Sequence, residues 1–326
     1  MDRGPAGEAG PARPSAGSDL RGWPWEQGTL KRLLSRLGHG VAPLADAVHE
    51  LRRRIESLVE HSRRRARGDY EIDPYGLDKE LFQAARTVTK FVYDRYFRVT
   101  PVGVENVPAS GRALLVSNHS GVLFPWDGVM ITESIWSAHP SPRHVRWLLL
   151  DWALRLPFAA PFLCRVGCVM GRQENALRLL NEDHLVGVFP EGLKGFAKRF
   201  RDRYRLARFG RGGFTQIAMR TRTPIIPVSV VGGEEIHPAL TYANFLAKPL
   251  GLPYMPITPT LPWLGLLGLI PLPTKWTIEF GRPIRFTEEA PRMADDYVVV
   301  SIVTEKIRQT IQSQLDRLLA ARTSIF

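Results

Sequence analysis

The stretch RALLVSNHSGVLFPWDGVMITESIWSA, residues 112–138, runs from a short apolar segment through a polar turn into a second apolar pattern. Residues 112–118 read as a buried strand and residues 127–138 as a helix. His119 follows the strand directly, and Asp127 stands eight positions later, with Gly121 and Pro125 in the loop between them. An aspartate at a helix start has a plain explanation as an N-cap. It has another if it meets the imidazole. A carboxylate on one ring nitrogen fixes the tautomer and makes the other nitrogen a base able to take a proton from a hydroxyl. Both readings are open at this point.

The same rhythm continues on either side. Strands are expected at VRWLLL (145–150), HLVGVFP (184–190), PIIPVSVVG (224–232) and KWTIEFGRPI (275–284). Helices are expected at NALRLLNED (175–183), at GGFTQIAMRTR (212–222) and from 293 to 322. Alternation of this kind predicts an α/β fold, a mostly parallel sheet covered by helices on both faces. Amphipathic helical segments precede it. YGLDKELFQAARTVTKFVYDRYF (75–97) is rich in aromatics, and VHELRRRIESLVEHSRRRAR (48–67) sets Leu51, Ile55 and Leu58 against a crowd of arginines. The expected organisation is a disordered tail (1–28), an amphipathic membrane-associating region (29–97) and an α/β domain (98–326).

The chain of 326 residues carries a net charge of +12, which predicts an anionic partner. No zinc-ligand spacing, basic heptad region or RNA-binding aromatic signature is present, so nucleic acid is not expected. The aromatics lie among Leu, Pro and Ala instead, as in WLLLDWALRLPFAAPFL (147–163), a pattern suited to a membrane interface with anionic lipid. The apolar stretch PTLPWLGLLGLIPLP (259–273) is shorter than the ~20 residues that span a bilayer and is broken by prolines. The N-terminus lacks the apolar core of a signal peptide. These features predict a peripheral protein on the cytoplasmic face of a membrane. A buried loop beneath the terminal helix is the plain alternative for 259–273. Cys164 and Cys168 read as two small apolar residues on one helical face of a protein in a reducing compartment, and no metal is expected.

Three predicted strand ends carry polar residues, and in such sheets sites form where strands end. They are SNHSG (117–121), VMGRQEN (169–175) and FPEGLKG (189–195). Arg172 opens a helix, where backbone N–H groups and a guanidinium together favour a phosphate. Ser120 lies outside any Gly-x-Ser-x-Gly elbow, so a serine nucleophile is poorly supported.

Taken together, residues 98–286 resemble the glycerolipid acyltransferase superfamily, the lysophosphatidate and glycerol-phosphate acyltransferases. Four blocks carry the resemblance in the family's order: NHSG with the following Asp, GRQENA, VFPEGLKG and TPIIPVSVVG. The segment 75–97 is similar to a bacterial branch. The resemblance implies an O-acyltransferase using acyl-CoA or acyl carrier protein as co-substrate, with no bound cofactor. It implies His119 as general base and Asp127 as its orienting carboxylate. Arg172, Glu191, Gly192 and Lys194 are implied on the acceptor side, and Pro227 on the acyl side. Two features depart from the family pattern. Seven residues separate His119 from Asp127 where the family has four. Leu193 and Lys194 stand where it has Ser or Thr and then Arg, and an ammonium lacks the bidentate fork of a guanidinium. A lysophospholipid or diacylglycerol acceptor therefore stands beside a phosphate monoester. A lipid hydrolase using the same pair, or a fold-retaining lipid binder without activity, are the readings from other classes.

Overall fold

Every residue of the central strand is buried, and its side chains alternate between two separate apolar layers. Ala113 and Leu115 join one layer while Leu114 and Val116 join the other, as the two-residue period of a strand requires. The computed structural model describes residues 71–326, apart from 122–123, 151–152, 154–158 and 248–253, and scattered positions between 49 and 63. Chain order is α1 (Lys79–Phe91), β1 (Thr100–Val102), β2 (Ala113–Ser117), α2 (Trp126–Ala138), β3 (Val145–Leu149), α3 (Ala159–Arg165), β4 (Val169–Met170), α4 (Gln173–Asn181), β5 (Leu185–Val188), α5 (Leu193–Phe196), α6 (Gly213–Thr221), β6 (Ile225–Val231), β7 (Thr241–Tyr242), α7 (Asn244–Ala247), β8 (Pro256–Ile257), β9 (Thr277–Phe280), α8 (Ala290–Met293) and α9 (Tyr297–Ala321).

Seven strands form one sheet in the order β1-β9-β6-β2-β5-β3-β4, and β7 pairs with β8 apart from it. Every pairing in the large sheet is parallel except β6 with β9. The fold is thus the expected mostly parallel α/β sheet. Met130, Ile131 and Ile135 of α2 cover one face together with Phe97 and Trp276. Leu179 and Leu180 of α4, Ile217 of α6, and Ile307, Ile311 and Leu315 of α9 cover the other. Each such side chain contributes about 1.5–3 kcal/mol on burial, so both layers stabilise the sheet between them.

Helix α1 belongs to the same body. Its N-cap Asp78 accepts from the Leu81 N–H at 3.0 Å, and Leu81 and Phe82 are buried. Arg86 then forks onto Glu133 of α2, with Nη2 to Oε1 at 2.7 Å and Nε to Oε2 at 3.2 Å. Thr89 and Ser137 also donate to that carboxylate, at 3.0 and 2.8 Å, so a charge buried to 1% side-chain exposure has all its partners.

Two local expectations are corrected. Cys164 lies in α3, but the helix ends at Arg165, and Cys168 sits in the following turn, buried in the core. The two do not share a helical face, and burial pushes the Cys168 thiol up to about 12. The terminal helix, expected from 293 to 322, is one helix that begins at Tyr297 and ends at Ala321. Asp296 accepts from the Val298 and Val299 N–H groups at 2.8 and 3.3 Å, starting α9 afresh after α8.

Residues 54–326 group as one unit and residues 1–53 as another. The predicted tail (1–28), and most of the predicted helical region before residue 71, lie outside the described residues. Within 49–63 the described positions are helical, with Ile55 and Val59 exposed. Among the described residues, no helix is long and apolar enough to cross a membrane.

Candidate active site

Strand β2 is extended by one residue through a side chain. The Asn118 Nδ2 donates to the Val230 carbonyl at 3.1 Å, and its Oδ1 accepts the Val230 N–H at 2.8 Å. This amide reproduces a backbone pair with β6, and the chain leaves the sheet at the next residue, His119. The His119 backbone N–H donates to Glu191 Oε1 at 3.0 Å. Its Nδ1 lies 2.7 Å from Asp127 Oδ2. A carboxylate can only accept, so Nδ1 carries the proton and the lone pair is on Nε2.

Asp127 is not the N-cap of α2. Pro125 occupies that position, and Asp127 lies one residue inside the helix. Its side chain is fully buried and turns back toward the strand end. Besides His119 it accepts the Ser120 N–H on Oδ2 at 2.6 Å and the Gly128 N–H on Oδ1 at 2.8 Å. Placement in the first turn also sets the carboxylate at the positive end of the helix dipole. The long His–Asp spacing is absorbed by a tight turn. Gly121 adopts φ 120°, the Phe124 N–H returns to the Gly121 carbonyl at 3.2 Å, and the Trp126 N–H to the Phe124 carbonyl at 2.8 Å. A Cβ at Gly121 would fall 2.5 Å from that Phe124 carbonyl oxygen, so both the conformation and the space require glycine.

The imidazole is held on its faces by rings. Phe189 stacks on it with centroids 4.1 Å apart and planes 13° from parallel, and Phe196 packs against it at 4.6 Å, tilted by 38°. Trp147 stacks in turn on Phe189 at 4.6 Å and 9°, and its Nε1 donates to Thr132 Oγ1 at 2.9 Å. The column Trp147–Phe189–His119–Phe196 therefore runs from β3 across the ends of β5 and β2 to α5. These three aromatics were not among the expected site residues. Phe189 was the legible one, since it opens the FPEGLKG block next to a strand end. With the ring clamped and one nitrogen engaged, the His119 side chain keeps 14% exposure.

The remaining expected residues separate into two groups. Glu191 was expected to face the acceptor, and its carboxylate instead points into the protein. Oε1 takes the His119 N–H, while Oε2 takes the Ala207 N–H at 2.7 Å and lies 3.2 Å from Lys198 Nζ. With its side chain fully buried, it holds the loop that bears His119. Gly192 (φ 54°) turns the chain into α5 through an N–H donated to the Phe189 carbonyl at 2.9 Å. Lys194 and Arg172 are exposed. Arg172 follows β4 at the same edge as His119, but β5 and β3 lie between β4 and β2. At ~4.8 Å per strand the two strand ends are roughly 14 Å apart. His119, Asp127 and Glu191 are thus brought together, and Arg172 and Lys194 stand on the same rim without touching them.

Residues 98–231 match the acyltransferase family. Uncharacterised proteins of Mycobacterium tuberculosis and Mycobacterium bovis are each 45% identical over 279 residues, covering 85% of this chain and 78% of theirs. A Mycobacterium leprae protein is 44% identical over 286 residues, covering 87% and 77%. The crystal structure of the 1-acyl-sn-glycerophosphate (LPA) acyltransferase PlsC from Thermotoga maritima superimposes with a TM-score of 0.47 at 16% identity, covering 76% of this chain and 85% of that one. The chain belongs to the acyltransferase family, and it is an enzyme of that class.

Proposed function

We propose that this acyltransferase moves a fatty acyl group from a thioester donor, acyl-CoA or acyl carrier protein, to the hydroxyl of a glycerolipid such as lysophosphatidate or another lysophospholipid. The 2.7 Å contact between His119 and Asp127 carries the reading, because it leaves Nε2 as the basic nitrogen. The acceptor's O–H proton passes to Nε2 as its oxygen attacks the thioester carbonyl carbon. The C–S bond then breaks, and the imidazolium returns the proton to the departing thiolate. Asp127 stabilises the imidazolium between the two transfers. Arg172 and Lys194, exposed cations on the same rim, meet the acceptor's phosphate.

Purified protein with labelled acyl-CoA or acylated carrier protein and a panel of lysophosphatidate, other lysophospholipids and diacylglycerol tests this directly. Transfer to a lysophospholipid is the expected result. Release of free fatty acid alone would make the protein a hydrolase, and no turnover with any acceptor would remove the reading.

The acceptor reaches the site from a lipid surface in this proposal. In the segment 259–273, Trp263, Leu264, Leu267, Leu269 and Ile270 are between 47% and 74% exposed. The backbone beneath them is fixed. The Leu272 N–H donates to the Ile236 carbonyl at 2.8 Å, His237 Nε2 meets the Leu269 carbonyl at 3.1 Å, and the Tyr96 hydroxyl donates to the Pro271 carbonyl at 2.6 Å. Residues 236 and 237 follow β6, whose end lies beside that of β2, so the apolar loop stands at the rim that carries His119. A rigid backbone that presents leucines and a tryptophan outward suits insertion at headgroup depth. The companion surfaces expected at 147–163 and 50–67 lie partly outside the described residues. Flotation with liposomes should show binding that grows with the anionic lipid fraction and partly survives high salt, since apolar insertion is not screened. The double change Trp263→Ser with Leu267→Ser should remove the salt-resistant part. Protein that stays with the aqueous fraction at low salt would sink the peripheral reading.

A further inference from the structure

Beneath the imidazole lies a line of buried charges that the transfer steps above do not use. Lys198, in the turn after α5, places Nζ 2.9 Å from Glu234 Oε1 and 3.2 Å from Glu191 Oε2, with side-chain exposures of 10%, 5% and 0% for Lys198, Glu234 and Glu191. Glu234 lies just past β6 and accepts the Tyr204 N–H at 3.0 Å, while the Tyr204 hydroxyl accepts the Gly232 N–H at 2.9 Å. Three chain segments (189–207, 232–234 and the loop bearing His119) are tied through one ammonium. The consequence for His119 comes from valence. Ionised Glu191 accepts three donors, the N–H groups of His119 and Ala207 and the Lys198 ammonium. Protonated, it would turn one acceptor position into an O–H donor and lose its charge, weakening its hold on all three. A carboxylate out of water stays ionised only beside a counter-charge.

We propose that Lys198 is a positioning residue for the transfer reaction: its ammonium neutralises the buried Glu191 carboxylate, and Glu191 in turn holds the His119 backbone so that Nε2 faces the acceptor hydroxyl. This rests on His119 being the base, as proposed above. The other titratable or charged groups that face Glu191 are His119 itself, Glu234 and, from α9, Arg308. Arg308 is engaged by Glu305 at 2.6 Å and makes no contact with Glu191, which leaves Lys198 as the neutralising group. Burial acts to lower the Lys198 pKa, but the carboxylates of Glu234 and Glu191 more than offset it, so the ammonium stays charged.

The test is Lys198→Met, with amide hydrogen exchange at His119 read beside kinetics. In the variant, the His119 amide should exchange at least tenfold faster while that of Val116 in β2 is unchanged. The value of kcat should fall at least tenfold with KM within twofold. Lys198→Arg should restore a large part of each. If the single variant does not fold, Lys198→Met with Glu234→Gln removes a base and an acid together and leaves the buried net charge as it was. The same exchange and kinetic changes are expected there. Unchanged His119 protection in a folded variant, or a loss of rate expressed in KM with kcat unchanged, overturns the proposal. The exchange result does not depend on turnover. Wild-type protein inactive with every acceptor would remove the proposed function while leaving the Lys198–Glu191–His119 contact tested in its own right.

Discussion

His119→Ala should lower kcat for acyl transfer by ~10²–10⁴-fold, the usual contribution of a positioned general base. The fold should survive, since the imidazole lies at the sheet's rim and its loss leaves Phe189 still stacked on Trp147. Circular dichroism and a melting curve verify the fold, and labelled transfer reads the rate. Substantial residual turnover would remove the base assignment. Asp127→Asn should cost a comparable factor for a different reason. All four polar contacts of this carboxylate are with donors: His119 Nδ1–H, the Ser120 N–H, the Gly128 N–H and, at 3.5 Å, the Ser120 hydroxyl. An amide NH₂ placed on either side therefore faces a donor, so the variant should lose stability as well as rate. A variant that keeps wild-type turnover would show that the imidazole needs no carboxylate behind it.

The second large effect is expected at a residue that touches no substrate. A Cβ at Gly187 would lie 2.5 Å from Cε3 and Cζ3 of Trp147, a buried ring whose nitrogen is already bonded. Gly187→Ala must displace Trp147, and Trp147 carries Phe189, which carries His119. Overpacking of this kind costs about 1–3 kcal/mol, and the imidazole should shift with the column. Urea unfolding should report the lost stability, and kcat should fall at least tenfold with little change in KM. The paired change Gly187→Ala with Trp147→Leu should recover much of the stability, because it frees the volume the new methyl needs. Full activity and full stability in the single variant would mean that the rings do not act as a unit.

Much of this architecture was legible from local pattern. An apolar segment such as 113–116, too short for a helix and without polar interruption, has little choice but a buried strand, and the strand–helix alternation around it implies a covered parallel sheet. The same reasoning located the three strand ends and placed His119 on one of them. It stopped where partners lie far apart in the chain. Helix periodicity began the terminal helix at 293, ahead of the Asp296 cap that sets its start at Tyr297, and it joined Cys164 to Cys168 across a helix end.

The sequence by itself determined the sheet, the order of its elements, the four blocks and the identity of the base candidate, because each depends on neighbours within a strand or a turn. Only the tertiary structure decided between the two readings of Asp127, since a helix cap and a partner for His119 begin from the same residue and differ in where the side chain turns. It also gave Glu191 its place beneath the loop instead of toward the acceptor, where the His119 and Ala207 N–H groups reach it, and it set Glu234 against Lys198. Those contacts join residues 72, 16 and 36 positions apart, and no local preference encodes them. They follow from the parallel register, which sets the ends of β2, β5 and β6 side by side, and from the rule that a carboxylate taken out of water must find its donors wherever the fold supplies them.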